Sequence, residues 1–404
     1  MSSPLLLTDI GQLVTCTGSA GSGEASLGVS HNTSVLIQDG LIRGIGPDDD
    51  AVKGAVASEV DTLSMDSQVV IPGFVDSHTH IVFGGDRVVE FNARMSGAPY
   101  IAGGIGNTVS ATRRASKGAL VSNASALREE MLLSGSTTVE VKSGYGLTVE
   151  HEKRSLEVAQ TITDQVTFLG GHLVPEEYAG DPESYVDAVC GPMLEHCAPY
   201  ARFVDVFLEK GAFDAHQARR VLTAGVAQGL IPTLHASQLG PGEGAKIALE
   251  VGAASLSHGN HLTKSDIQLL RGSRVVVTAL PGTDFSTAGK YLDVRPLHEA
   301  GITVSLASNC NPGSSFSSSM LFMIALAVRE MSMSPADAVW SATAGGAAAL
   351  RLMDRGQIRV GARADMIQLA APDYAYVAYR PGVDLVRRVF LHGELVVEKS
   401  RDVR

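Results

Sequence analysis

Several features that would assign a protein to a particular class are scarce in this sequence. Its 404 residues include only four cysteines, at positions 16, 190, 197 and 310. They are too few and too scattered for a disulfide framework or a cysteine-rich zinc site. No apolar run reaches the roughly 18 residues that a membrane-spanning helix needs. The N-terminus lacks the basic region of a secretory signal. Together these absences favour a cytoplasmic protein.

Excess positive charge is also missing. The chain has 32 Lys and Arg against 43 Asp and Glu, which gives a formal net charge of −11 at pH 7. An acidic balance of this size argues against a nucleic-acid surface, and nothing in the pattern indicates a membrane partner. Apolar residues make up 45% of the chain, which is ordinary for a globular protein. The length predicts one large domain and a smaller one.

The two ends of the chain share one pattern. Residues 33–70 contain short alternating runs joined by Asp39-Gly40, which is a hairpin signal. Residues 357–398 again contain short strands broken by glycine. We therefore predict that residues 1–71 and 353–404 build one composite β-sandwich domain.

The middle of the chain, residues 72–352, has a different pattern. Eight apolar strand-like runs alternate with helix-period segments, which include 119–134, 149–164, 214–228 and 316–330. Alternation of eight strands with helices is the arrangement of a (β/α)8 barrel. The predicted fold is therefore α/β, with a TIM-type barrel and a small β-sandwich domain.

Histidines follow several of the predicted barrel strands. His78 and His80 end the first strand, and residues two apart on a strand point to the same face. His172, His235 and His258 end the third, fifth and sixth strands. Imidazoles sharing one rim suit a borderline cation such as zinc or ferrous iron. Such an ion lowers the pKa of a bound water from about 15.7 toward 7. The pattern predicts metal-assisted hydrolysis.

Other polar residues at the strand ends are candidates for substrate binding. Arg87 could hold a carboxylate with its two-pronged guanidinium, or lie on the surface. Tyr145 could donate a phenolic hydrogen bond, or belong to the core. The turn at Asn311, Gly313 and Ser314 could present backbone N–H groups to an anion, or be a plain turn.

Lys142 lies in the second predicted strand. A lysine in a metal-dependent barrel can in principle be carbamylated and bridge two ions. We expect instead an ordinary lysine that is paired with a carboxylate.

Several of these motifs together are specific. "IPGFVDSHTHIVFGGDR", "TTVEVKSGYGL", "FLGGHLVPEEY", "HASQL", "GAASLSHGNHL", "TALPG" and "NPGSS" span most of the chain. On these motifs the sequence resembles the amidohydrolase superfamily and, within it, the imidazolonepropionase family. The resemblance implies one divalent metal ion, zinc or iron, and a homodimer. It also implies a small-molecule substrate with a carboxylate tail.

The resemblance also implies roles for individual residues. His78, His80 and His235 are similar to metal ligands, and the family places an aspartate ligand at the position of Asn309. Gln238 is implied to lie near the reacting water. His258 is implied to face that water and the substrate carbonyl, with a pKa near the operating pH if it acts as the base. The implied substrate contacts are Arg87, Tyr100, Tyr145, His172, Asn311, Gly313 and Ser314.

The reaction implied by the resemblance is 4-imidazolone-5-propanoate plus water giving N-formimino-L-glutamate, a step of histidine degradation. The bond broken is a C–N bond of a cyclic amide. Arg87 would hold the carboxylate tail. Gln238, His258 and position 309 would act at the reacting centre, and we count them as the candidate catalytic residues.

Asn309 departs from the family pattern. Its amide can still offer a carbonyl oxygen to a cation, but it carries no negative charge and is no general base near neutral pH. The neighbouring Ser308 also replaces the family's usual Thr. Four interpretations follow: an engineered variant that stops turnover, a natural homologue for a related ring such as a thiohydantoin (as a hydrolase or desulfhydrase), an imidazolonepropionase that tolerates Asn, or a non-catalytic binding protein.

Overall fold

The structure is a computed structural model that describes residues 3–97 and 104–400. Its strands are β1 (Leu5–Val14), β2 (Val29–Gln38), β3 (Leu41–Ile45), β4 (Asp61–Ser64), β5 (Val69–Pro72), β6 (Phe74–Asp76), β7 (Ser136–Val139), β8 (Val141–Lys142), β9 (Val166–Gly171), β10 (Phe203–Leu208), β11 (Ile231–Ala236), β12 (Ser255–His258), β13 (Val276–Ala279), β14 (Val304–Leu306), β15 (Met366–Leu369), β16 (Val386–Leu391) and β17 (Glu394–Glu398).

The helices among the described residues are α1 (Asp50–Ala57), α2 (Val88–Met95), α3 (Ile105–Arg114), α4 (Lys117–Leu133), α5 (Val149–Gln160), α6 (Pro182–Ala188), α7 (Leu194–Cys197), α8 (Ala215–Ala227), α9 (Gly244–Glu250), α10 (Lys264–Leu270), α11 (Pro281–Thr287), α12 (Arg295–Glu299), α13 (Met320–Glu330), α14 (Pro335–Trp340), α15 (Gly346–Ala349) and α16 (Tyr376–Tyr379). The four helix-period segments of the sequence correspond to α4, α5, α8 and α13. Within the described ranges, no helix combines the length and the apolar character that crossing a membrane requires.

Contacts divide the chain into two compact units. One comprises Met1–Asp76, Glu130–Thr138 and Ser319–Arg404, and the other comprises Ser77–Glu129 and Val139–Ser318. Both chain ends therefore fall in the same unit. The domain limits at 71/72 and 352/353 stay a prediction.

The unit that contains both chain ends is built on an eight-stranded sheet. Its order is β17-β16-β15-β5-β1-β2-β3, with β4 beside β1. The predicted hairpin is β2–β3, and both turn residues, Asp39 and Gly40, have the positive φ that a tight two-residue hairpin turn needs. Ile37 of β2 and Phe390 of β16 contribute to the same buried cluster, so the sheet curls around one core as a sandwich does.

The second unit holds the barrel. Strands β8 to β14 form a parallel sheet in which each strand pairs with the next along the chain. The segment that follows β6 closes it. The Asn309 N–H donates to the His78 carbonyl at 3.0 Å on one side, and the Lys142 N–H donates to the Thr79 carbonyl at 3.0 Å on the other. The predicted TIM-type barrel is therefore confirmed, and its closure aligns the ends of the first and last strands.

Helix α8 illustrates how the outer layer packs on the barrel. A capping box between Asp214 and Gln217 starts the helix, and Gly225 faces β10. A Cβ atom added at Gly225 would lie 2.4 Å from Val204 Cγ1, so only glycine allows this close approach. The spacing fixes where β10 can lie, and β10 carries two residues of the site described below.

This packing yields a stability prediction. Gly225→Ala should lower the free energy of unfolding by about 1–3 kcal/mol, because the added methyl group overpacks the interface with β10. The measurement is urea unfolding followed by circular dichroism. Gly118→Ala is the matched control: it is also helical, its Cβ would meet nothing within 4 Å, and it should leave stability unchanged or slightly raised. Equal behaviour of the two variants would contradict the packing account.

Candidate active site

Three imidazoles converge at the mouth of the barrel. His78 and His80 come from the segment after β6, and His235 comes from the end of β11. The His80 Nε2 atom lies 3.2 Å from His78 Nε2 and 3.4 Å from His235 Nε2. Ligands 2.0–2.1 Å from a tetrahedral ion are about 3.3–3.4 Å apart. The three predicted histidines thus have the spacing that one divalent ion requires, and their donor atoms form the His cluster of the described residues that could hold a metal.

Two of these imidazoles are oriented by a second hydrogen bond. His235 Nδ1 lies 2.9 Å from Asp205 Oδ1, and His78 Nδ1 lies 2.9 Å from Ser257 Oγ. A carboxylate only accepts, so Asp205 places the imidazole proton on Nδ1 and leaves the Nε2 lone pair of His235 for a cation. Sequence reasoning missed Asp205, although an aspartate inside the apolar run "FVDVFL" of β10 was a signal.

Asn309 follows β14 in a left-handed backbone conformation, with φ of 51°. Asparagine tolerates this conformation better than most residues. The side-chain Nδ2 donates to Thr283 Oγ1 at 2.7 Å. Asn309 Oδ1 is buried and has no hydrogen-bond partner within the described part of the chain. A buried acceptor without a donor suits a cation, so the residues present fit a metal with three imidazoles and one amide oxygen.

A buried ion-pair network lies behind His235. Lys142 Nζ is 2.9 Å from Glu140 Oε1 and 2.9 Å from Asp205 Oδ2. Burial lowers the pKa of Lys142, but Asp205 and Glu140 outweigh it and raise this pKa above its usual value. Burial likewise raises the pKa of Asp205, and His235 and Lys142 together bring it below its usual range. Lys142 is thus the ion-paired lysine that we expected, and it holds Asp205 in its anionic form.

Burial controls the protonation of the other imidazoles. It lowers the pKa of His78, His80 and His258 well below 6.5 and that of His172 to about 4. These imidazoles are therefore neutral near pH 7, which is the form that binds a metal. The expectation that His258 titrates near the operating pH is wrong, because its ring is enclosed.

A small pocket with a cavity volume of about 40 Å³ lies beside the imidazoles. Ile105 and Phe207 are apolar lining residues that sequence reasoning missed. The predicted site residues that line it are His80, Arg87, Tyr145, His172, His235, Gln238, His258, Asn309, Asn311 and Ser314. Tyr100, a further candidate substrate contact, lies outside the described residues.

Arg87 is buried at the pocket wall, and part of its guanidinium is already engaged. Nε donates to Glu90 Oε2 at 2.7 Å, and Nη2 donates to Glu90 Oε1 at 2.5 Å. The opposite side of the group lies against Gly313, where an added Cβ would be 1.9 Å from Nη1. Glu90 therefore takes the Nε–Nη2 edge of the guanidinium, and Gly313 lies close to Nη1.

The turn after Asn309 does not present the expected donors. The N–H groups of Gly313 and Ser314 both donate to Asn311 Oδ1, each at 2.8 Å. Asn311 Nδ2 in turn donates to the Asn309 carbonyl at 2.6 Å. The prediction that these two N–H groups face an anion is wrong, because the asparagine side chain accepts both and closes its own turn.

A buried carboxylate organises the loop that carries Tyr145. Glu152 accepts hydrogen bonds from the N–H groups of Gly144 at 3.0 Å and Gly146 at 2.7 Å. The Gly144 carbonyl lies 2.9 Å from His172 Nδ1. Because of these bonds the Tyr145 and His172 rings are 5.3 Å apart at one side of the pocket.

The loop that carries Gln238 is held in a similar way. A buried carboxylate, Glu209, accepts hydrogen bonds from the backbone N–H groups of Gln238 and Leu239. Gln238 lies two residues after the end of β11, the strand that carries His235, and it lines the pocket.

A further buried carboxyl group lies beside the site. Asp284 is in the first turn of α11, directly after Thr283. Its Oδ1 accepts from Asn260 Nδ2 at 2.8 Å, and Asn260 Nδ2 also donates to the Lys290 carbonyl at 2.7 Å. Burial raises the pKa of Asp284 to about 7, against the smaller lowering effect of Asn260. The hydrogen bond between Asn260 and Asp284 joins the start of α11 to the segment that follows β12.

The barrel with its histidine site defines the amidohydrolase class. A family model described as "Amidohydrolase family" matches residues 225–396. The fold is also that of an atrazine chlorohydrolase from Arthrobacter aurescens, solved in complex with zinc and atraton. The TM-score is 0.68 at 16% identity, and the match covers 98% of this chain and 95% of the other.

Two curated relatives narrow the class. Imidazolonepropionase of Salinispora tropica is 53% identical over 97% of this chain and 98% of its own length. Imidazolonepropionase of Mycolicibacterium smegmatis is 53% identical over 97% of both chains. The chain belongs to the imidazolonepropionase family.

The raised pKa of Asp284 predicts a pH-dependent stability. The folded-state pKa of Asp284, about 7, exceeds the ordinary value of 3.8. The folded state therefore favours the protonated carboxyl group. The stability that this group contributes is complete below pH 3.8 and is lost as the pH rises through 7. Asp284→Asn cannot ionise, so the difference in free energy of unfolding between this variant and the parent should grow in favour of the variant from pH 5 to pH 8. The gain should reach up to about 3 kcal/mol.

The measurement is urea unfolding of the metal-free proteins at the two pH values. Asp164→Asn, which removes an exposed carboxylate, is the control. A gain for Asp284→Asn that does not exceed that of the control would contradict the prediction.

Proposed function

We propose that this protein hydrolyses 4-imidazolone-5-propanoate to N-formimino-L-glutamate, a step of histidine degradation. The observation that carries the proposal is the convergence of His78, His80 and His235 on one point beneath a pocket whose wall contains Arg87. The curated relatives with this name, 53% identical over nearly the full chain, support the choice of substrate.

The chemistry needs an electrophilic carbonyl and an activated water. A divalent ion, when bound by His78, His80, His235 and Asn309, supplies Lewis acidity and lowers the pKa of a water toward about 7. We propose zinc as this ion, since three imidazoles suit it and a structural neighbour of the same fold is described with zinc. Iron is the alternative that metal analysis of the purified protein would distinguish.

The residues of the chain bind and orient the substrate. We assign the Nη1–Nη2 edge of Arg87 to the propionate carboxylate, because Glu90 already occupies the other edge. The pocket-lining groups of Tyr145, His172 and Gln238 are then available to the ring. Phe207 gives the pocket an apolar wall that helps to exclude bulk water.

Proton transfer requires a group other than position 309, since an amide is no general base. We assign it to His258. Its ring lies 5.6 Å from that of His235 and 6.3 Å from that of His78. His258 Nδ1 has no hydrogen-bond partner among the residues described. The lowered pKa makes the neutral imidazole a weak base, so it would take a proton only from a water that is already acidified, and it would readily pass that proton to the departing ring nitrogen.

The four free cysteines support our proposal of a cytoplasmic location, where thiols stay reduced. A homodimer is the assembly that we propose from the family resemblance, and light scattering in solution would test it.

The identity of residue 309 gives the test of the function. Loss of substrate absorbance should show turnover by the parent protein loaded with zinc or iron, and Asn309→Asp should raise kcat by about 10- to 100-fold, because a carboxylate adds both charge and basicity. Activity of only the Asp form would identify Asn309 as a disabling residue. Activity of neither form on this ring would contradict the proposal and favour a related ring.

A second prediction concerns Arg87. Combining Arg87→Met with Glu90→Gln removes the guanidinium without leaving an unpaired carboxylate. The double variant should raise KM by about 10- to 100-fold, because it removes a charge-assisted hydrogen bond to the bound carboxylate. Steady-state kinetics provides the measurement, and Arg114→Met, at an exposed arginine, is the control. An unchanged KM would mean that the carboxylate is held elsewhere.

A further inference from the structure

We propose that Thr283 is a positioning residue that holds the Asn309 amide with its oxygen toward the metal. The inference rests on the proposed function in one respect, namely that Asn309 is a ligand. An aspartate at this position could turn either of two equivalent oxygens to a cation. An asparagine has one oxygen, and its NH2 group must be directed away from a positive ion.

The contacts around Asn309 match this requirement. Its Nδ2 donates to Thr283 Oγ1 at 2.7 Å, and Thr283 is fully buried. The opposite atom of the amide, Oδ1, is the one left without a partner within the described ranges. The hydroxyl accepts from the NH2 group, and this orientation leaves the oxygen available to an ion.

The hydroxyl is itself held in place. The Thr283 N–H donates to the Leu280 carbonyl at 3.0 Å at the start of α11. The next residue, Asp284, is tied to Asn260 at the end of β12. Thr283 therefore belongs to a turn that is anchored to the barrel, and the position of its Oγ1 does not depend on a bound metal.

Removing the hydroxyl should act on the metal through Asn309. In Thr283→Val the buried NH2 group loses its acceptor, so the metal-free protein favours the flipped amide with NH2 toward the pocket water. Binding an ion must then reverse this flip. Thr283→Ser keeps the hydroxyl and serves as the conservative variant.

The test is the zinc affinity of metal-free full-length protein, measured by competition with a chromogenic chelator. We expect Thr283→Val to weaken zinc binding about 10-fold, the lower end of the effect of losing a group that orients a ligand. Thr283→Ser should stay within about threefold of the parent. In an Asn309→Ala background, Thr283→Val should change the affinity by less than about twofold, because the amide through which it acts is gone.

Three outcomes would overturn the inference: no loss of affinity in Thr283→Val, an equal loss in the Asn309→Ala background, or no zinc binding by the parent. Thermal melting of the metal-free variants controls for folding, and Thr283→Ala replaces Thr283→Val if the latter does not fold. The cobalt-loaded proteins give a second readout, since the visible spectrum of Thr283→Val should differ from that of Thr283→Ser. Turnover is scored separately, so failure of the proposed reaction leaves the affinity result interpretable.

Discussion

The approach of three imidazole nitrogens to within hydrogen-bonding distance of one another is the constraint on which the site depends. His80 Nε2 lies 3.2 Å from His78 and 3.4 Å from His235. Lone pairs this close repel unless a cation or a proton lies between them. Burial keeps His78 and His80 neutral, and the backbone bonds that close the barrel keep the strand ends from separating. The fold thus holds an arrangement that favours a divalent ion.

Because Asn309 replaces an expected aspartate, the negative charge that attracts a cation must come from the surrounding residues. With Asn309 the proposed ligand set is neutral. A buried anion, Asp205, is hydrogen-bonded to His235 and held ionised by Lys142. A carboxylate one imidazole away still attracts a cation in a low-dielectric interior, although less strongly than a direct ligand. This arrangement would help a site with the proposed amide ligand to hold a metal, provided that the amide oxygen faces the ion.

Much of the architecture could be predicted from the sequence. Alternating apolar runs and helix-period segments predicted the barrel and placed five histidines at strand ends, because residue positions at strand ends follow from periodicity. The choice of His235 as the partner of the HxH pair came from the family resemblance. Pairings between side chains could not be predicted in this way. The hydrogen bonds of Glu90 with Arg87, and of Asn311 with the N–H groups of its own turn, depend on local rotamers. The Lys142–Asp205 pair joins strands 63 residues apart in the chain, although charged residues within buried strands were a usable signal.

The most direct test of the account is a crystal structure of the zinc-loaded protein with anomalous data at the zinc edge. The account predicts one ion about 2.0–2.2 Å from the Nε2 atoms of His78, His80 and His235 and from Asn309 Oδ1. The Asn309 NH2 group should remain on Thr283. An ion that lies elsewhere, or an amide turned away with water in its place, would contradict the central claim that these four residues form the metal centre.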